Sequence, residues 1–158
     1  MKNRIRHISE TDILAIEEQY AENSCILKLD GRRIQTESDW LYSMAELFMF
    51  PVYTENGNIP WFRGAFEKQG EHFMNWHRFD DWMSDLEWLG TDSVVLIIEH
   101  FHEMLRNEPE VKEYVMNNLK DTVLPWWESE VVNCVVEGKR KSFNVYLVDD
   151  NSVITENL

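Results

Sequence analysis

The chain has 158 residues, 44% apolar and 13% aromatic, which suits one domain with an ample hydrophobic core. Its 29 acidic residues outnumber 15 basic ones, and the net charge of −14 repels phosphate backbones, so direct nucleic-acid binding is not expected. The same field attracts a basic protein partner and speeds its arrival, an effect that salt weakens.

In chain order, the start is basic (Lys2, Arg4, Arg6, His7), but Glu10, Asp12, Glu17 and Glu18 follow at once, so neither a signal peptide nor a membrane span is expected. Residues 1–24 read as an N-terminal extension carrying one short helix, capped by Ser9 and given a modest apolar side by Ile13, Leu14 and Ile16. Cys25 and Cys134 both lie in apolar surroundings. Two cysteines are too few for a disulfide framework, so reduced, buried thiols in a cytoplasmic protein are expected.

Three apolar runs of strand length stand far apart, at 25–29, 94–98 and 143–148. Long, partly helical segments separate them, which implies crossover connections, a parallel sheet and an α/β fold. After the first run, Asp30-Gly31 marks a turn. Thr36 or Ser38 can cap a helix in which Trp40, Leu41, Met44, Leu47 and Phe48 recur at helical spacing, with Pro51 ending it. Residues 52–74 mix Gly57, Pro60, Gly64 and Gly70 with Tyr53, Trp61, Phe62 and Phe66, a loop richer in aromatics than a solvated connector needs.

The next segment, 75–89, is the most informative. At about 100° per residue, a single helix there places Trp76, Phe79, Trp82, Met83, Leu86 and Leu89 on one side. His77, Asp80, Asp81, Ser84, Asp85 and Trp88 fall on the other, and Asn75 can cap the start. Further on, Glu108-Pro109 opens a helix with Val111, Tyr114, Val115 and Leu119 on its apolar side, limited by Pro125. Residues 131–136 either end a helix begun near Trp126 or pair as a strand with 143–148, and the helix is favoured; 151–158 read as a frayed tail.

Residue types for three chemistries are present. Glu99-His100-Phe101-His102-Glu103 offers two imidazoles but no third and fourth ligand at recognisable spacing, so neither a metal nor any other cofactor is assigned. His77 and Asp81, four apart, could form a base and its orienting carboxylate. No nucleophile accompanies them, because Ser84 lacks the Gly-rich turn of a nucleophile elbow, and the chain is read as a non-enzyme. Asp30-Gly31-Arg32 lacks the further glycines of a phosphate-binding loop. Trp88 stays open between an interface anchor and a residue buried under the 52–74 loop.

The order of strand, Asp-Gly turn, capped helix, acidic helix, strand, helices and final strand resembles the barstar family of ribonuclease inhibitors over residues 25–150. The closest correspondence is Asn75 followed by Trp76, Phe79, Asp81 and Asp85-Leu86, a spacing that looks like the family's inhibitory helix. The resemblance implies a three-stranded parallel sheet covered by helices, with 1–24 as an extension and 151–158 as a tail. It also implies that Asn75 shapes the start of the inhibitory helix and that Asp81 enters the basic cleft of a ribonuclease, where carboxylates take the place of substrate phosphates. The family has an acid where His77 stands, an aromatic where Asp80 stands, and a shorter loop before the helix, so a different partner is implied. His77 stands on an otherwise acidic surface, so binding is expected to depend on pH near neutrality. The expected role is therefore an inhibitor of a basic ribonuclease, as a toxin immunity protein, with a non-inhibitory adaptor for a basic protein as the alternative.

Overall fold

The computed structural model describes residues 2–54, 57–60 and 74–156. Its main sheet holds β1 (Ile5–Ser9), β2 (Cys25–Asp30), β5 (Ser93–Glu99) and β6 (Ser142–Asp149) in the order β1-β6-β5-β2. All three pairings are parallel. The three apolar runs are strands, as their composition predicts, but the sheet has four strands rather than three. The additional one comes from the polar lead-in: Ile5 to Ser9 run beside Val145 to Asp149 at the sheet edge. An edge strand buries only part of itself, so Arg6 and His7 are tolerated there and blur the apolar alternation that announces a strand.

Alternation along β5 explains why its whole run is apolar. Val94, Leu96 and Ile98 point into the main core with Phe143, Val145 and Leu147, whereas Val95 and Ile97 point to the opposite face with Tyr146 and Val148. That second face is covered by α1 (Ile13–Tyr20), through Ile13, Ile16 and Tyr20. Beneath α1 the hydroxyls of Tyr20 and Tyr146 lie 2.9 Å apart, and burial together with this contact pushes the Tyr146 pKa up to about 12.

On the main face, α2 (Glu37–Leu47) starts from Thr36, which accepts the Asp39 amide while Asp39 accepts the Thr36 amide, a complete capping box. The helix buries Trp40, Leu41, Met44 and Ala45. Pro51 does not terminate it: the helix stops at Leu47, Met49 takes a left-handed φ of 53°, and Pro51 opens β3 (Pro51–Thr54), paired antiparallel with β4 (Gly57–Pro60). The expected loop therefore begins as a two-stranded hairpin, and 61–73 lie outside the described residues. Asp30-Gly31 does turn the chain, and a Cβ on Gly31 would stand 2.6 Å from the His100 carbonyl oxygen, so only glycine fits that approach of β2 to the end of β5.

The acidic segment forms α3 (Trp76–Met83), shorter than expected. Leu86 takes a left-handed φ of 50°, which turns the chain and returns its side chain to the core; Glu87–Leu89 then makes a separate 3-10 turn. Beyond β5, Pro109 opens α4 (Pro109–Asn118), but Pro125 does not end the rod. Two π-helical stretches, Leu119–Val123 and Trp126–Glu130, carry it on to α5 (Val131–Cys134). The wider turns relieve the clash between a proline ring and the carbonyl four residues earlier. Helix is thus the outcome for most of 131–136. Cys134 is exposed at the end of this rod, contrary to expectation, and Cys25 is half-buried with its thiol pKa raised by burial. The chain closes on a short helix, α6 (Asn151–Glu156), where a frayed tail was expected.

Candidate functional site

Residues 75 to 89 provide the acidic surface, and local chemistry at both ends of α3 decides its shape. Asn75 caps the start by accepting the Arg78 amide at 2.9 Å. At the other end an eight-residue helix leaves carbonyls without intrahelical donors, and two neighbouring indoles supply them. The Trp127 N–H donates to Met83 O at 2.8 Å, and the Trp126 N–H donates to Ser84 O at 2.9 Å. The helix is clamped to the α4–α5 rod by its backbone, which leaves its outward side chains free of that task.

Phe79, Trp82, Met83 and Leu86 are buried, while Asn75, His77, Asp81 and Asp85 are exposed and Asp80 and Ser84 half-buried. His77 Nε2 lies 3.5 Å from Asp81 Oδ2 with both side chains largely in solvent. Asp80 faces sideways instead and accepts from the Asn118 side-chain amide at 2.8 Å, continuing a seam that begins where Trp76 packs on Tyr114 with ring centroids 4.6 Å apart. Ser84 donates its hydroxyl to Asp81 O, and Asp85, now beyond the helix end, accepts the Glu87 amide.

Among the residues assigned to the acidic side, Trp88 changes place most. With the helix broken at Leu86, its ring swings inward, the indole N–H donates to Phe48 O at 2.7 Å, and the ring meets Phe50 edge-on at 6.1 Å. Half-buried, it caps the carbonyl end of α2.

Between α3 and the rod lies a cleft of about 200 Å³ lined by Asp80, Asp81, Ser84, Thr122, Trp126 and Glu130. Three carboxylates and an indole around one concavity suit a cationic side chain. Asp80, Asp81 and Asp85 also crowd the carbonyl end of α3, where the helix dipole is negative. That arrangement opposes stability and deepens the potential offered to a basic surface. Sequence reasoning missed Trp126 and Glu130, whose register is shifted by π turns, and Asn118, which belongs to a different element from the acidic stripe it meets; the adjacent Trp126-Trp127 pair was the one visible signal.

His102, just past the end of β5, and His7, on β1, take a structural place. His102 Nδ1 and its backbone N–H meet Asp149 Oδ1 at 2.6 and 2.9 Å, and His7 Nε2 meets Asp149 Oδ2 at 2.8 Å. Burial alone would raise the Asp149 pKa, but the hydrogen bonds from His102 and His7 together outweigh it and hold the carboxyl below its usual range. Among the described residues no group of three or more His, Cys, Asp or Glu side chains is placed to hold a metal ion, and no helix is long and apolar enough to cross a membrane.

No curated protein and no solved structure matches the chain. The family model described as Barstar (barnase inhibitor) matches residues 64–147, more than half of the 158 and a span that contains α3, β5, the helical rod and nearly all of β6. On that match, the chain belongs to the barstar family, whose namesake is an inhibitor of barnase.

Proposed function

We propose that this protein inhibits a basic ribonuclease by laying α3 and the adjoining acidic cleft over the enzyme's phosphate-binding site. A ribonuclease must line that site with Lys, Arg and His to hold phosphate, and a helix already fixed at both ends presents carboxylates to them with little ordering cost. The observation that carries the reading is the exposed Asp81 on a helix whose last carbonyls are held by Trp126 and Trp127. Asp81 is the central contact, Asn75 sets the helix start, and His77, Asp80, Ser84 and Asp85 surround it. Trp88 serves the surface from behind. Inhibition by occlusion requires no turnover and no cofactor. In the cell such a protein acts as the immunity partner of a ribonuclease toxin, in the cytoplasm where RNA must be spared.

The test is stoichiometric inhibition of RNA cleavage by the cognate enzyme, captured from host lysate at low salt. One equivalent of wild-type protein is expected to abolish cleavage and the Asp81→Ala variant to leave cleavage at the same concentrations. Tight capture of a basic protein without nuclease activity would replace inhibition with an adaptor role.

A further inference from the structure

A second cleft, about 440 Å³ and more than twice the volume of the acidic one, opens on a different stripe of the helical rod. The acidic cleft uses Thr122, Trp126 and Glu130; this one uses Lys120, Leu124 and Glu128, two residues out of step and so on the far side of the helix. Its other wall is the start of the chain. Lys2 and Arg4 join Lys120 in its lining, and Ile5, Leu124 and Pro125 add apolar surface.

The charge is out of keeping with the rest of the molecule. Three cations face one acid in a chain with 29 acidic and 15 basic residues, and that acid, Glu128, accepts the Asn3 backbone N–H at 2.7 Å. No ion pair among the described residues involves Lys2, Arg4 or Lys120. The wall that carries Lys2 and Arg4 is also held in place. Asn3, between them, is buried; its side-chain amide donates to Leu124 O and Lys141 O at 3.2 Å each, and its Oδ1 accepts the Phe143 amide at 2.9 Å. The cations therefore project from a fixed wall rather than from a fraying terminus, which lowers the ordering cost of binding.

We propose that this cleft binds a small phosphorylated molecule with a flat or apolar body, of the nucleoside phosphate class. Three cations lining one cleft match a phosphate dianion better than a single carboxylate, and the Ile5, Leu124 and Pro125 lining gives a base or similar ring its apolar contact. The volume lies within the range of small-molecule sites, and the surrounding acidity disfavours a long polyanion.

Titration of the ¹⁵N-labelled full chain with adenosine monophosphate at about 50 mM salt tests this. Saturable shifts are expected at the amides of residues 3–5 and 120–124, with the α3 amides unmoved. Lys120→Gln and Arg4→Gln, two exposed positions whose variants should melt as wild type does, are each expected to weaken binding roughly tenfold, the effect of about 1.4 kcal/mol. Adenosine and inorganic phosphate, as separate probes, are expected to bind at least about tenfold more weakly than the nucleotide. Absence of saturable shifts, equal affinity in both variants, or inorganic phosphate binding as well as the nucleotide would each overturn the assignment.

Discussion

Two histidine–aspartate arrangements in this molecule use the same groups for opposite ends. On α3, His77 and Asp81 stand 3.5 Å apart with side-chain exposures of 86% and 67%. At the carboxyl end of the sheet, His7 and His102 grip Asp149 at 2.8 and 2.6 Å, and the Asp149 side chain is 1% exposed. Water decides the difference. The exposed pair is screened and holds little energy, so its charge stays available to an incoming surface. The buried carboxylate has lost its hydration and depends on both imidazoles, which come from β1 and from the turn after β5, so it ties the first strand to the rest of the sheet. An acid matters to the fold or to the partner according to what surrounds it.

The sharpest way to break the comparison is to remove one acid from each. Asp149→Ala is expected to destabilise the protein by about 3 kcal/mol in denaturant unfolding, because it orphans His102, its backbone N–H and His7 together. The pH dependence has a fixed sign. The folded Asp149 carboxyl titrates below its unfolded value, so its stabilisation is complete above the ordinary carboxylate range near about 3.9 and is lost as pH falls through the folded value. The gap between wild type and Asp149→Asn should therefore narrow below about pH 4, and a gap that stayed constant on acidification would contradict this account.

Asp81→Ala reverses the pattern. Its unfolding free energy is expected to match that of wild type, while affinity for the ribonuclease falls at least about thirtyfold, equivalent to about 2 kcal/mol, when the carboxylate is lost from a desolvated contact. Loss of stability with unchanged inhibition would exchange the roles of the two acids. Trp126→Phe sits between them. It keeps a ring in the cleft but removes the donor to Ser84 O, with an expected cost of about 1 kcal/mol in stability and a smaller loss of affinity than Asp81→Ala as the end of α3 loosens.

The legible parts of this molecule are those governed by short-range pattern. The runs at 25–29, 94–98 and 143–148 are strands because short stretches dominated by apolar and β-branched residues, interrupted only by Lys28 and Asn144, suit a sheet covered on both faces. The caps at Asn75 and Thr36 follow from side-chain chemistry within a single turn. What escaped depends on distant partners. Ile5–Ser9 becomes a strand because Val145 to Asp149 offer it a parallel edge. Trp88 turns inward because Leu86, a residue with no turn signature, adopts a left-handed backbone and Phe48 leaves a carbonyl for the indole. The rod runs past Pro125 because π turns make room for the ring, a choice that residue preference alone opposes. The same limit applies to the site: Asp80, Asp81 and Ser84 were visible as one helical stripe, but Trp126 and Glu130, which complete the cleft, belong to another element.

The smallest expected effect is the most specific test of the exposed pair. His77→Ala removes a solvent-bathed partner of Asp81, so no measurable change in unfolding free energy is expected. Binding should respond differently, because the imidazole, 3.5 Å from Asp81, occupies one side of the carboxylate that a basic partner must approach. His77→Ala is therefore expected to change affinity for the ribonuclease by no more than about threefold, under about 1 kcal/mol, in the same inhibition titration. A loss as large as that of Asp81→Ala would make His77 a principal contact in its own right. A small change would make the pair on α3 one contact with a neighbour that modulates it, as the triad around Asp149 is a fastener of the fold.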